Sequence, residues 1–208
     1  MRSGRLTARH ELAQRLSALR AGGEIGRVVL ANGCFDIVHV GHVRYLEDAR
    51  SRGDFLIVAL NSDSSVRAIK GPGRPLMPLD ERAEILGALR CVDAVTSFDE
   101  ADLETTLRVL RPDVHAKGSD YTTASVPEAC IDRELGIEIA ICGDPKDHST
   151  SDLLRRIAHE SRISPEAPSL PGSAPINGAQ ASMRPPAAPA KGAQASMSPS
   201  AGCHEAPG

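Results

Sequence analysis

Two stretches of the chain are apolar at every position instead of every second one: Val28-Val-Leu-Ala31 and Phe55-Leu-Ile-Val-Ala-Leu60. A strand with one wet face alternates polar and apolar residues. A run without alternation is a strand buried on both faces, the pattern of parallel sheets covered by crossover helices. The flanking sequence supplies such helices. Residues 5–20 carry Leu12, Leu16 and Leu19 at helical spacing and end at Gly22-Gly23, a helix stop. Further helices are expected at 41–51, 79–89, 102–110 (ended by Pro112), 126–135 and 151–160, with strands at 27–32, 54–60, 93–97, 113–116 and 137–142. The alternation predicts an α/β fold, a mostly parallel five-stranded sheet with helices on both faces. In such sheets ligands bind at the carboxyl ends of the strands, where the strand order reverses. Chemistry is therefore expected just after Asn32, Asn61, Ala116 and Cys142.

The composition changes near residue 161. From there to Gly208 Ala, Pro, Ser and Gly dominate, and a hexapeptide occurs twice, at 178–183 and 192–197. Such a segment buries too little apolar surface to offset its ordering entropy, so a disordered tail is expected. The resulting division is an N-terminal helix within 1–26, a domain at 27–160 and a tail at 161–208. With aromatics at 2% and no Trp, the core must be built from Leu, Ile, Val and Ala. A net charge of −3 offers no electrostatic footprint for nucleic acid or an anionic membrane. Phosphate binding must then come from local geometry. Five cysteines, odd in number and without a C-x-x-C pair, fit a reducing compartment. No signal-like h-region or 18-residue apolar run is present, so the expectation is a cytoplasmic protein without nucleic-acid or membrane partners. Oligomeric state, a homodimer included, is left open.

The first strand runs into Asn32-Gly-Cys-Phe-Asp-Ile-Val-His39-Val-Gly-His42, and a helix follows. Gly33 and Gly41 let backbone approach a ligand closely. Two imidazoles three residues apart at a helix N-terminus, where free N–H groups and the dipole favour anions, suit a phosphate chain. The rival reading is a metal site of Cys34, His39 and His42, but three ligands in one loop with no distant fourth make a poor zinc set. Lys70 and Arg74 fall in a Gly/Pro-rich loop, as cations closing over phosphates would, or as a solvated surface loop would. Arg82 sits early in a helix, where a cation opposes the dipole unless an anion binds nearby. Its alternative is an exposed ion pair with Glu81 or Glu84. Ser149, Thr150 and Ser151 precede the last helix as a second anion cradle or a plain N-cap.

At His39-Val-Gly-His42 the chain resembles the nucleotidyltransferase superfamily with an H-x-G-H signature, in its cytidylyltransferase-like branch with a G-x-F-D lead-in. The resemblance covers most of residues 27–158. Asn61-Ser-Asp63, Lys70-Gly71, Arg74-Pro75, Glu81-Arg82, Lys117-Gly-Ser-Asp-Tyr121 and His148-Ser-Thr-Ser151 are similar to the adenylyltransferase domain of the heptose 1-phosphate enzymes. With no sugar-kinase-like segment ahead of it, the match is to the single-function form.

The resemblance implies a Rossmann-like three-layer sandwich. It implies AMP transfer from ATP, with Mg²⁺, to a small phosphorylated sugar. His39, His42, Lys70 and Arg82 would be catalytic. Gly33, Cys34, Phe35, Asp36, Gly41, Lys117, Gly118, Asp120, Ser149, Thr150 and Ser151 would bind the nucleotide, and Asn61, Asp63, Arg74 and Tyr121 the acceptor. One departure concerns the acceptor: glycerol 3-phosphate cytidylyltransferases carry an Arg shortly before the last motif, where this chain has Lys146 and His148. A cytidylyltransferase on glycerol 3-phosphate is the alternative within the class, and a nucleotide-binding regulatory module the alternative outside it. A dinucleotide-dependent dehydrogenase is excluded, since no G-x-G-x-x-G follows the first strand.

Overall fold

The computed structural model describes residues 6–144 and 154–159. Five strands, β1 (Val28–Gly33), β2 (Phe55–Asn61), β3 (Ala94–Phe98), β4 (Val114–Gly118) and β5 (Glu138–Cys142), form one sheet in the order β3-β2-β1-β4-β5. Every pairing is parallel. The unbroken apolar run 55–60 becomes β2, buried at all seven of its positions, as a strand covered on both faces must be.

Six helices connect and cover the strands: α1 (Arg9–Ala21), α2 (Val40–Ser51), α3 (Asp63–Lys70), α4 (Leu79–Gly87), α5 (Glu104–Leu110) and α6 (Ala129–Leu135). Residues 154–159 are also helical. Two core layers result. Val29, Ala31, Leu56, Val58, Leu60, Val114 and Ala116 pack beneath Leu46, Ala49 and Leu86 of α2 and α4. The alternate residues Val28, Leu30, Ile57 and Ala59 pack against Leu12, Leu16, Leu107 and Ile131 of α1, α5 and α6. The period-two switch of faces along each strand builds a three-layer sandwich. The fold is the expected Rossmann-like α/β arrangement, with a sheet that is all parallel.

The element missing from the sequence reading is α3. Residues 63–69 were assigned no element and Lys70 was expected in a Gly/Pro-rich loop, but Ser62 caps a helix over 63–70 by accepting from Ser65 N–H, and Gly71 at φ 89° ends it. Lys70 therefore leaves from a helix end, and only Arg74 lies in the loop proper. Ser149, Thr150, Ser151 and the 161–208 tail lie outside the described residues.

The strand order reverses between β1 and β4. The carboxyl ends of these two strands therefore diverge into α2 on one side and the 119–128 loop on the other, which opens a crevice at that edge.

Candidate active site

The crevice is a cleft of about 620 Å³. Its lining includes Asn32 and Gly33 at the end of β1 with Cys34 and Phe35 after them, His39, Gly41 and His42 at the start of α2, Asn61 at the end of β2, and Lys70. Lys117 and Gly118 line it at the end of β4, and Asp120, Tyr121 and Glu128 beyond that end. All four strand ends named from periodicity contribute, with β5 adding Cys142 and Gly143.

After Gly33 the chain turns sharply: Phe35 takes φ 46°, a left-handed conformation uncommon for a side chain of this size. The turn buries the Phe35 ring, 5.0 Å from the His42 ring centroid. A Cβ on Gly33 would stand 3.0 Å from that ring, so a larger residue there would have to push the Phe35 ring aside. His39 is the N-cap of α2 and His42 its third residue, with the rings stacked at 3.9 Å. His42 Nδ1 accepts from the His39 backbone N–H at 3.3 Å. The remaining proton of a neutral His42 ring is thereby fixed on Nε2. Burial first, then the neighbouring His39 and Lys70, push the His42 pKa down from 6.5 to about 4. Near neutral pH His42 is therefore an uncharged donor at a helix N-terminus. Burial also pushes the Cys34 thiol up, against the lowering influence of Lys70 and Arg82, so it is a poor nucleophile.

Four expected site residues form a frame behind the cleft and do not line it. Arg82, expected to hold departing phosphate or to make an exposed ion pair with Glu81 or Glu84, is fully buried. Its guanidinium donates to the carbonyls of Met77, Cys34 and Asn61 at 3.1, 2.6 and 3.0 Å, and to Asp63 at 2.7 Å. It ties the ends of β1 and β2 to the start of α4. Asp36 is also buried; it accepts from Arg74 at 2.6 Å and from the Leu76 and Met77 backbone N–H groups. Burial alone would raise the Asp36 pKa, but these bonds outweigh it and hold the carboxyl below its ordinary value. Asp36 and Arg74 thus pin the 71–78 loop. Each of these residues has a protein partner more than 15 positions away, and nothing local in the sequence announces it.

Lys117 points into the cleft but is engaged. Its ammonium lies 2.9 Å from Glu128, 3.1 Å from Asn32 Oδ1 and 5.4 Å from the Tyr121 ring centre. Arg44 lines the cleft and pairs with Asp144 at 3.0 Å. Lys70 is the one lysine or arginine of the cleft without a protein partner among the described residues. Asn32, Glu128 and Arg44 were not singled out from the sequence. Asn32, at the carboxyl end of the first strand, carried the positional signal. No three His, Cys, Asp or Glu side chains among the described residues are grouped to hold a metal. No helix among them is long and apolar enough to cross a membrane.

Comparison with known proteins gives a consistent picture. Residues 30–156 match the cytidylyltransferase-like family. The chain is 48% identical over 145 residues to the bifunctional protein HldE of Streptomyces coelicolor, spanning 70% of this chain and 31% of that one. It is 45% identical over 147 residues to HldE of Methylobacillus flagellatus, spanning 71% of this chain and 30% of that one. The chain therefore spans under a third of these relatives' length. Among solved structures, the lipopolysaccharide core biosynthesis protein from Thermoplasma volcanium GSS1 superposes with a TM-score of 0.50 at 26% identity, covering 58% of this chain and 98% of that one.

Proposed function

The chain belongs to the cytidylyltransferase-like family, and from that premise we propose that it is a cytoplasmic nucleotidyltransferase that transfers AMP from ATP to a heptose 1-phosphate, releasing pyrophosphate. The observation that carries this reading is the stacked His39–His42 pair at the N-terminus of α2, facing a cleft with Lys70 on its rim. The acceptor follows from the heptose-enzyme resemblance of the motifs after β2 and β4, and the HldE relatives support it.

The reaction is an in-line displacement. An oxygen of the sugar phosphate attacks the α-phosphorus of ATP, the bond to the β-phosphate oxygen breaks, and pyrophosphate leaves with its electron pair. The attacking oxygen is already ionised near neutral pH, so no general base is required. Catalysis is positioning plus charge stabilisation. His42 Nε2–H and the first N–H groups of α2 donate to the α-phosphate, His39 lies beside them, and Lys70 reaches the departing phosphates from the end of α3. Arg82 contributes indirectly, holding the Cys34 and Asn61 carbonyls that shape the floor. Mg²⁺ would enter on the triphosphate of the nucleotide and offset the charge of the departing pyrophosphate.

The test is a pyrophosphate-release screen of four NTPs against sugar and polyol phosphates. The expected result is highest kcat/KM for ATP with a heptose 1-phosphate. Equal or better turnover of CTP would overturn the nucleotide assignment, and release with glycerol 3-phosphate alone would overturn the acceptor.

A further inference from the structure

Two ionisable residues lie just under the cleft floor, and the proposed reaction gives them no task. His115 on β4 and Asp132 on α6 are both fully buried, with His115 Nδ1 2.9 and 3.1 Å from the two carboxylate oxygens. The other ring nitrogen, Nε2, stands 3.3 Å from Asn32 Oδ1, the same atom that accepts from Lys117. His115 and Lys117 are two apart on one face of β4, and Glu128 and Asp132 four apart on α6 and its N-cap. The result is a continuous polar chain from Asp132 through His115 and Asn32 to Lys117 and Glu128. Its buried end is in the core and its other end lines the cleft.

The donor inventory fixes the Asn32 orientation. An ammonium only donates, so the carboxamide atom facing Lys117 must be oxygen. The contact from His115 to that oxygen is attractive only when Nε2 carries a proton, and with Nδ1 against both Asp132 oxygens a second proton must then sit in the His115–Asp132 contact. With Oδ1 held from two sides, the Asn32 Nδ2 amine is turned away from them. It has no hydrogen-bond partner among the described residues, and Asn32 lines the cleft. A purely structural latch between α6 and the sheet would be served at least as well by an apolar pair, since burying charges costs desolvation.

We propose that His115 and Asp132 are positioning residues that lock the Asn32 carboxamide with its amine toward the cleft, as a fixed donor to an oxygen of the nucleotide, and through the same oxygen hold Lys117 in place. This rests on the nucleotidyltransferase reading for the identity of the ligand, and the site's geometry stands apart from the choice of acceptor.

The test is a double-mutant cycle in the full chain with Asn32→Ala, His115→Leu and the pair. The assay uses whichever NTP and acceptor the wild type turns over, with calorimetric ATP affinity replacing KM should no acceptor be turned over. A wrong acceptor is then distinguishable from a wrong positioning role. His115→Leu should raise the KM for the nucleotide about 10-fold with kcat little changed, and the double variant should be no worse than Asn32→Ala alone. His115→Gln, which keeps an N–H donor, should recover part of the loss. Should His115→Leu fail to fold, His115→Gln and Asp132→Asn carry the same comparison. Unchanged nucleotide KM or affinity in the folded variants, or effects that multiply in the pair, would overturn the proposal, whatever the melting temperature does.

Discussion

Replacing Arg82 by Met keeps most of the stem volume and removes the guanidinium. The structure assigns this arginine four hydrogen bonds from a fully buried side chain, three to backbone carbonyls and one to Asp63. Hydrogen bonds from a charged donor contribute about 1.5–3 kcal/mol each when lost singly, but they are not additive. Asp63 is 37% exposed, so water can take over its charge. The carbonyls of Cys34 and Met77 belong to half-buried residues, where water also reaches. The Asn61 carbonyl, at the buried end of β2, has no such compensation. Breaking a buried ion pair costs about 3–5 kcal/mol, and partial hydration puts this case near the lower bound, about 3 kcal/mol. For a domain of this size that is a fall in Tm of roughly 10 °C. Arg82→Lys, a point charge that satisfies one or two of the four acceptors, should fall between. Thermal and urea unfolding read both. A Met variant that melts with the wild type and yet loses turnover would show the guanidinium acting on the ligand, and the frame assigned to it here would be wrong.

His39→Ala and His42→Ala should each lower kcat by about 100-fold while leaving unfolding transitions near wild type, if each ring acts like an oxyanion-hole donor; normal turnover in either variant removes that residue from the mechanism. Acid should weaken the fold through His42. Its pKa in the fold is depressed to about 4 from 6.5, so as pH falls below 6.5 the unfolded chain takes up the proton first. The stability associated with the neutral ring is intact above 6.5 and is lost as pH drops toward 4. Urea midpoints from pH 7 to 4 should fall more for wild type than for His42→Asn, and parallel curves would contradict the depressed value.

The sheet was legible because its evidence is local. Unbroken apolar runs, Gly and Pro stops and strand–helix alternation each occupy a few consecutive residues, and β1, β2 and α2 lie within one residue of their expected bounds. Residues 63–70 were less so: an eight-residue helix shows barely two turns of periodicity, although Ser62 and Gly71 were both visible as caps. Among the site residues, those held by the backbone path alone (His39, His42, Gly41, Cys34) lie where the motif implied. Arg82, Asp36 and Arg74 looked like ligand groups because charge in a loop or first turn implies exposure. Their partners at Asp63, Leu76 and the strand-end carbonyls are tertiary facts. His115 and Asp132 passed unnoticed for the same reason, each being unremarkable in its own strand or helix.

That redistribution of charge bears on the proposed chemistry. Arg44, Arg74, Arg82 and Lys117 are all matched by acids or carbonyls of the protein, which leaves, among the described residues, Lys70, neutral His42 and the helix amides to meet the phosphates of the proposed substrate. A cleft lined with free guanidinium groups would grip ATP, the transition state and pyrophosphate alike. Such uniform binding lowers KM without raising kcat and slows the release of a highly charged product. A neutral imidazole with its proton fixed on Nε2 donates weakly to a substrate phosphate and more strongly as negative charge grows on the α-phosphate oxygens. The same depression that keeps His42 uncharged near neutral pH would thus make its contribution to the proposed reaction largest at the transition state, which is where a catalytic donor has to act.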